Sequence, residues 1–452
     1  MSASILFELF NMTVPAPTGI ATYSRHVVRA ARELGFAVDG LFHTYSKLDR
    51  RDDILAEVGF FDARNRKISP FAKYIELNWR WMIGAPRGFR PGRLPLSGVV
   101  IDARGSESDF ANFRNAYALR LFNDIARYHF LRYGSCAVVH TKAIPTVFHT
   151  TQAIPLRVRG AANVYTIHDI VPLRMPYSTL DHKKFFLNMV RHLGRTADHI
   201  ITVSEASRRD LIEICGVPKD RITNTYQSVA FPEAVLAPSD DEIANFVQQA
   251  FDLEYRGYFL FYGALEPKKN IARLIDGHLA SGTSCPLVIA GSPAWEYESD
   301  LARIEEAQGD NYRVRKGRIL RERRIQRLGY LSLPQLVALI RGAKAVVFPS
   351  LYEGFGLPVI ESMLLGTPVL TSDVAALEEV AGDAAVLVKP HDVDNIAKGI
   401  RRLDQDQDLR EELTRKGKVR AAQFSPKEHQ RRLAAVYKSL GVSVSAAPSS
   451  SE

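Results

Sequence analysis

The sequence predicts an α/β protein of two successive units, each a parallel sheet with helices packed on it. Three observations carry that expectation. Short apolar runs alternate with helical patterns through the first half; the alternation restarts beyond Phe231-Pro232; and several of the runs end at a glycine turn that opens a helix. Length and composition agree, since 452 residues, 46% hydrophobic and 24% charged, suffice for two domains that each bury a core.

In the first unit, residues 1–232, the run 4–10 reads as a first strand. A loop with Pro15, Pro17, Thr18 and Gly19 follows, then a helical pattern from Ala21 to Leu34. A glycine between strand one and helix one lets the backbone approach a phosphate closely, which makes Gly19 a candidate. Further strands are expected at 98–102, 137–140, 146–149, 162–167 and 199–203. The apolar run Val164-Tyr165-Thr166-Ile167 ends in His168, so the imidazole stands at a strand's carboxyl end, where it can donate to a hydroxyl or a phosphate oxygen. A locally satisfied histidine, with Asp169 capping the next segment, is the other reading of the same residues.

The second unit, residues 233–424, opens with Ser239-Asp240-Asp241-Glu242 as a helix start and 258–263 as a first strand. Gly263 then leads through Ala264-Leu265-Glu266-Pro267-Lys268-Lys269-Asn270 into a helix with Ile271, Leu274 and Ile275 inward. A lysine at such a helix start can neutralise a diphosphate, although two solvated lysines would look the same. Another strand and glycine turn follow at 286–291. Arg313 to Arg327 holds eight cations against Glu322 and reads as a solvated helix and loop. Ala345-Val346-Val347-Phe348 reads as a buried strand; Gly354 and Gly356 open a turn; Pro358 suits the first position of a helix that Gly366 can close. That order places Glu353 in a loop at the carboxyl edge of a parallel sheet and Glu361 in the first helical turn. Carboxylates only accept hydrogen bonds, so a pair beside free helix N–H groups suits vicinal hydroxyls next to a phosphate. Among 50 acidic residues, though, two glutamates eight apart carry little alone, and one in a first turn also answers the helix dipole. Residues 425–441 form a last helix with Leu433, Val436, Tyr437 and Leu440 at helical spacing, and 442–452 is a small, polar, frayed tail.

Composition narrows the function classes. No apolar run approaches ~18 residues and Met1 to Leu9 lacks a basic flank, so neither a membrane span nor a signal peptide is expected, and the location expected is the cytoplasm. Cys136, Cys215 and Cys285 lack metal-ligand spacing and read as core thiols. No Asp-x-Asp has a strand context, and Asp49, Asp52 and Asp53 fall in a charged loop, so no metal site is expected. A dehydrogenase would need a Gly-x-Gly-x-x-Gly turn with an acid about 20 residues on, and no clean case is present. Residues 1–232 carry 31 Lys+Arg against 20 Asp+Glu, whereas the rest carry 28 against 30. The excess is densest at Arg64, Arg66, Lys67, Lys73, Arg80, Arg87, Arg90 and Arg93, interleaved with Phe71, Tyr74, Trp79, Trp81 and Phe89. Cations mixed with aromatics suit an anionic membrane surface or a pyrophosphate-bearing lipid; a solvated loop is the alternative, and no nucleic-acid-binding module accompanies the charge.

The wording from Phe348-Pro349-Ser350 through Glu361 to Gly366-Thr367-Pro368-Val369 closely resembles the donor-site signature of glycosyltransferase family 4, the retaining transferases of GT-B architecture, and the resemblance extends over most of the chain. It implies two Rossmann-like domains facing a cleft, with acceptor binding in 1–232, donor binding in 233–424 and the helix 425–441 crossing back to the first domain. It further implies that Glu353 holds the donor sugar, Glu361 the ribose and Lys269 the diphosphate. His168 would contact the transferred sugar, because Ala197 to Glu205 resembles the strand and turn that follow the same histidine in the family. Gly19, Gly263, Gly354, Phe355, Gly356 and Leu357 would line the donor, and Tyr330 and Leu331 would lie in the base-binding segment, read through backbone groups. Ala264 stands where many members carry an arginine that gives the diphosphate a second cation; a subgroup with the same small residue looks like bacterial mannosyl-type transferases of surface polysaccharide assembly. The implied reaction is front-face transfer from a nucleotide sugar, a GDP-sugar rather than a UDP-sugar, without metal or other cofactor. The implied acceptor is a glycan or a polyprenyl-diphosphate-linked glycan, at the inner face of the cell membrane. A UDP-sugar-dependent transferase of the same fold and a catalytically silent, membrane-associated nucleotide-binding adaptor stay open.

Overall fold

The protein is described here by a computed structural model, in which residues 3–14, 19–49, 51–62, 69–96, 100, 110, 112–294, 298–307, 311–315, 318–322 and 324–442 are placed. Two parallel sheets organise the chain. The first runs in the order Ile222–Asn224, His199–Thr202, Ala162–Thr166, Val147–Thr150, Ser4–Glu8, Ala37–Thr44, Asn115–Arg120, Gly92–Leu94, and only the last strand is antiparallel. The second runs Ile325–Leu328, Leu287–Ala290, Phe259–Tyr262, Ala345–Phe348, Val369–Ser372, Val386–Val388, all parallel. Helices cover both faces, which is why strands such as Phe259–Tyr262 and Ala345–Phe348 are buried at every position.

Four strands of the first sheet, Ala37–Thr44, Asn115–Arg120, Gly92–Leu94 and Ile222–Asn224, escaped the sequence reading. Asp39, Gly40 and His43 interrupt the apolar run of the first of them. The sheet tolerates Asp39 because Arg114 and Asn115 hydrogen-bond its carboxylate at 2.6–3.1 Å. The strand expected at 98–102 lies almost wholly outside the described residues.

The arginine-rich stretch is not a helix and loop: Asn311–Arg315 and Arg318–Glu322 pair as an antiparallel hairpin before Ile325–Leu328 joins the second sheet. Tyr312 and Val314 alternate with arginines, a period of two that fits a ribbon better than a helix. The aromatic-basic stretch of the first unit also differs from a solvated loop. Residues 63–68 are outside the described set, but Pro70–Arg87 is a helix, opened by Ser69 accepting the Ala72 amide at 3.3 Å with Pro70 in its first turn.

Past the second sheet, the helix Gln407–Ala422 packs on Leu357–Leu364, and Pro426–Ser439 packs on the helix Gly19–Glu33 of the first unit. The Tyr437 hydroxyl meets His149 Nδ1 at 2.8 Å, and the Val229 amide donates to the Phe424 carbonyl at 3.0 Å, so the chain's last helix is fastened to the first sheet. Cys136 and Cys215 are buried, and burial pushes both thiols up to about 11. Cys285 is only half-buried and sits 2.9 Å from Lys344 Nζ, in a polar cluster rather than a core. No described helix is long and apolar enough to cross a membrane.

Candidate functional site

The carboxyl edges of the two sheets face each other, and the segment 349–357 is where they meet. After the strand Ala345–Phe348 the chain passes through Glu353 and Gly354 to Gly356, whose φ of 100° starts the helix Leu357–Leu364 from the left-handed region that favours glycine. Pro358 occupies the second helical position, and Gly366, with φ 80°, closes the helix as its amide donates to the Met363 carbonyl at 3.1 Å. Gly354 is held against the other domain. A Cβ there would lie 2.8 Å from the His168 carbonyl oxygen and 2.9 Å from Asp169 Oδ2, so only glycine lets the loop come this close.

Glu353 is buried, and its Oε1 accepts from Lys269 Nζ at 2.5 Å while Lys268 Nζ stands 3.7 Å from Oε2. Glu266 joins the cluster, 3.3 Å from Lys268 and 3.7 Å from Lys269. Burial favours the protonated Glu353 carboxyl, but Lys269 and Lys268 outweigh it and hold the pKa below the ordinary value. Burial likewise opposes the Lys268 charge, and Glu353, Glu266 and Asp169 more than offset it, raising its pKa. Lys269 lies over the Phe348 ring at 5.0 Å. Two cations therefore stand over one buried carboxylate at the start of a helix, at the carboxyl edge of the second sheet. The sequence reading singled out Lys269 and gave Lys268 no role of its own; what it lacked was the turn Pro267–Lys269, which points both lysines at a glutamate 84 or more positions away.

Glu361 is the fifth residue of its helix, in the second turn rather than the first, so the helix dipole does not account for it. Its Oε2 accepts the Tyr262 hydroxyl at 3.0 Å. Burial pushes the carboxyl up to about 6, partly countered by that hydrogen bond. Because the folded pKa exceeds the ordinary carboxyl value of 4.5, Glu361 adds stability that is complete below about pH 4.5 and is lost as pH rises through 6. If the ionised form accepts ribose hydroxyls, the opposite trend holds for ligand. Nucleoside diphosphate affinity is expected to fall below pH 6 in the native protein more steeply than in Glu361→Gln, and the variant at pH 8 should bind about 1.5 to 3 kcal/mol more weakly. The ligand's own phosphate titrates nearby, so the difference between the two proteins in calorimetry is the readout.

His168 follows the strand Ala162–Thr166, half-buried, its ring edge-on to Tyr23 at 4.9 Å. Its Nε2 faces the Thr151 carbonyl at 2.9 Å and must carry the proton there. Burial lowers its pKa, which leaves Nδ1 of the neutral ring as an acceptor for a hydroxyl rather than the donor that the strand-end position implied. Asp169 Oδ1 accepts the Val171 amide at 2.9 Å. The Ser207 hydroxyl bridges the His168 carbonyl at 2.8 Å and the Gly354 carbonyl at 3.3 Å.

The remaining candidates divide. Gly19 begins the helix Gly19–Glu33, 3.5 Å from Leu357 Cδ1 as measured from a built Cβ, so the two meet across the cleft. Gly263, with φ 142°, ends the first strand of the second sheet, and Gly291 packs on its carbonyl so tightly that a Cβ there would stand at 1.8 Å. Phe355 turns inward against Tyr226 and Phe424, which leaves its backbone alone for a ligand. Tyr330 is 74% exposed, and Leu331 packs partly on the second domain's core. Two further contacts join the domains and had no sequence signal: Tyr352 reaches Asp210, which also pairs with Arg174, and the Glu379 carboxylate accepts the Glu205 and Ala206 amides, both at 2.8 Å, at a helix N-terminus. Among the described residues no group of three His, Cys, Asp or Glu side chains could hold a metal ion.

Residues 85–229 match the family described as Glycosyltransferase Family 4, and residues 244–420 match Glycosyl transferases group 1. Over 277 residues the chain is 33% identical to O-antigen chain mannosyltransferase B of Escherichia coli, covering 60% of this chain and 68% of that protein. The chain belongs to glycosyltransferase family 4. It is also 29% identical over 269 residues to the serotype-specific mannosyltransferase WbdA of Escherichia coli, covering 58% of this chain, and spans 31% of that longer protein's length. Among solved structures, HepE of Anabaena in complex with UDP and glucose superposes with a TM-score of 0.63 at 15% identity, covering 97% of this chain and 100% of that one. At that identity the likeness shows the fold, and the fold of this glycosyltransferase is GT-B, as the resemblance implied.

Proposed function

We propose that this glycosyltransferase is a retaining, metal-independent mannosyltransferase of bacterial surface polysaccharide synthesis, using a GDP-sugar. The observation that carries the reading is the buried Glu353 between Lys268 and Lys269, set beside His168 by the Gly354 contact. In this reading residues 233–424 bind the donor. Lys269 and Lys268 move from Glu353 to the diphosphate, which supplies from Lys268 the second cation missing at Ala264. The freed Glu353 accepts sugar hydroxyls, Glu361 accepts the ribose, and backbone at Tyr330 and Leu331 reads the base. Cations and helix N–H groups then stabilise the departing diphosphate, whose oxygen takes the acceptor's proton as the hydroxyl attacks from the same face. The mannosyl assignment rests on the Escherichia coli O-antigen enzyme at 33% identity, and the GDP-sugar on the likeness of the segment 263–270 to mannosyl-type transferases. A thermal-shift panel tests it: GDP and GDP-mannose at ~100 times their dissociation constant should add about 2.7 kcal/mol of stability, with UDP and UDP-sugars giving less. Stabilisation by UDP and not GDP would replace the GDP-sugar by a UDP-sugar.

The reading places the acceptor on a membrane lipid, at the inner face of the cell membrane, and one surface supports it. Along Pro70–Arg87, Phe71, Tyr74, Ile75, Trp79, Met82 and Ile83 are all exposed at helical spacing, and Arg87, Arg90 and Arg93 follow, exposed as well. Rings at headgroup depth with cations on phosphate are how an interfacial helix binds. The protein is expected to sediment with anionic vesicles at low salt and to be released by salt, each cation near the surface contributing about 1 kcal/mol. Replacing Trp79 and Met82 by Ser should abolish sedimentation without changing GDP affinity; an unchanged bound fraction would return the helix to ordinary surface.

A further inference from the structure

Glu8 ends the strand Ser4–Glu8 at the same sheet edge as His168 and is fully buried. Its Oε1 accepts from the Phe10 amide at 2.9 Å and from Gln152 Nε2 at 3.0 Å, whereas Oε2 is buried without a partner among the described residues. Asn11 Nδ2 and both ring nitrogens of His43 are buried and unpartnered in the same sense. These groups gather around Phe10. Side chains alternate along a strand, so Glu8 shares a face with Leu6, and His43, on the neighbouring strand, shares it with Leu41. The His43 ring lies 5.0 Å from Phe10, 5.2 Å from Phe122 and 4.7 Å from Tyr45.

Leaving one such group unpaired costs about 1 to 3 kcal/mol, and more for a charge, so several together at a functional edge call for something that pairs them. Their chemistry is mixed: an acceptor, an amide donor and an imidazole that can be either, walled by aromatic rings. A saccharide matches that mixture, since its hydroxyls both donate and accept while its C–H face packs on rings. Two hydrogen bonds link the cluster to the proposed transfer site: Thr151 Oγ1 donates to the Glu8 carbonyl at 2.9 Å, and the Thr151 carbonyl accepts from His168. On the other side, Leu77 and Trp81 of the exposed aromatic helix pack into the same apolar cluster as Leu6 and Leu41.

We propose that Glu8, Asn11 and His43 form the subsite that orients the acceptor saccharide, with Glu8 Oε2 accepting a hydrogen bond from one of its hydroxyls. The inference rests on the first domain's being the acceptor domain. Glu8→Gln tests it: the amide oxygen must take the place of Oε1, where both neighbours donate, and an NH2 group then replaces the acceptor at Oε2. Glu8→Leu, which removes the polar group at similar volume, is the second variant. Burial pushes the native carboxyl up to about 7, so its ionised form costs stability above that pH. Glu8→Gln, which keeps an acceptor at Oε1, should therefore melt no lower than the native protein at pH 8, an outcome that a carboxyl kept only for structure does not give; Glu8→Leu also takes the acceptor from the Phe10 amide and Gln152, so its saccharide affinity is read at a temperature where it is folded. A panel of short oligosaccharides, mannose-terminated ones included, is titrated into each protein with GDP present. The native protein should bind at least one, and both variants should bind it at least tenfold more weakly with unchanged GDP affinity. Equal saccharide affinity in a folded variant, a fall in melting temperature with parallel loss of GDP binding, or no saccharide bound by the native protein would each overturn the inference. Glu8-dependent saccharide binding in a protein that transfers no mannose would sustain it while overturning the mannosyl reading.

Discussion

Glu353→Gln is expected to lower sugar transfer by about 10²-fold or more while leaving nucleoside diphosphate affinity unchanged or higher. The direction follows from the ion cluster. Glu353 holds Lys269 at 2.5 Å, so a diphosphate must compete with a buried carboxylate for the same ammonium. The amide removes that competitor, and the phosphates gain the lysines without contest. In the proposed role, what is lost is the charged acceptor for the sugar's hydroxyls, felt only when the sugar must be held for reaction. The variant also leaves Lys268 and Lys269 with Glu266 as their nearest carboxylate, and breaking a buried pair in this way costs about 3 kcal/mol of stability. Bound GDP should restore much of it. Calorimetry with GDP, thermal melts with and without it, and initial rates check the three parts separately. Near-native turnover would remove Glu353 from the sugar subsite.

Gly354→Ala should be nearly as damaging through geometry alone. The new methyl would stand 2.8 Å from the His168 carbonyl and 2.9 Å from Asp169 Oδ2, closer than real Cβ contacts allow, and the first of these atoms is backbone. The loop must retreat from the other domain by several tenths of an ångström. That retreat separates Glu353 from His168 and stretches the Ser207 bridge, and a misplacement approaching 1 Å at a reacting centre costs on the order of 10² in rate. Because Glu361 and the helix Leu357–Leu364 stay with the second domain, GDP binding is expected to survive. Turnover within a few-fold of native would show that the contact between Gly354 and His168 does not set the reacting geometry.

How much of this was legible in the chain depended on how local the cause was. The strand Ala345–Phe348, the glycine at 356 and the closing Gly366 are written in a short window, and there the sequence and the structure agree. Ser239 with Glu242 likewise signalled its helix, and the structure forms both hydrogen bonds of the capping box. Glu361 was placed one residue too early in its helix because Gly356, not Pro358, fixes where the helix begins. Lys268 was given no role because burial of a lysine depends on acids that arrive from elsewhere, here Glu353, 85 positions further along the chain. Glu8 gave no signal at all: in the sequence it is one polar residue in a strand, and only the packing of Leu6, Phe10 and Leu41 around it shows that one of its oxygens is left unpaired. The hairpin Asn311–Glu322 was missed because a dense run of arginines masks the period-two pattern beneath it.

The most direct measurement is proton NMR of the reaction of the native protein with GDP-α-mannose and a mannose-terminated acceptor, in buffer containing a chelator. The account predicts release of GDP together with a new anomeric signal of an α-linked mannose, and no such signal from the Glu353→Gln protein on the same timescale. A β-linked product, transfer from UDP-sugars alone, or full activity in Glu353→Gln would contradict it.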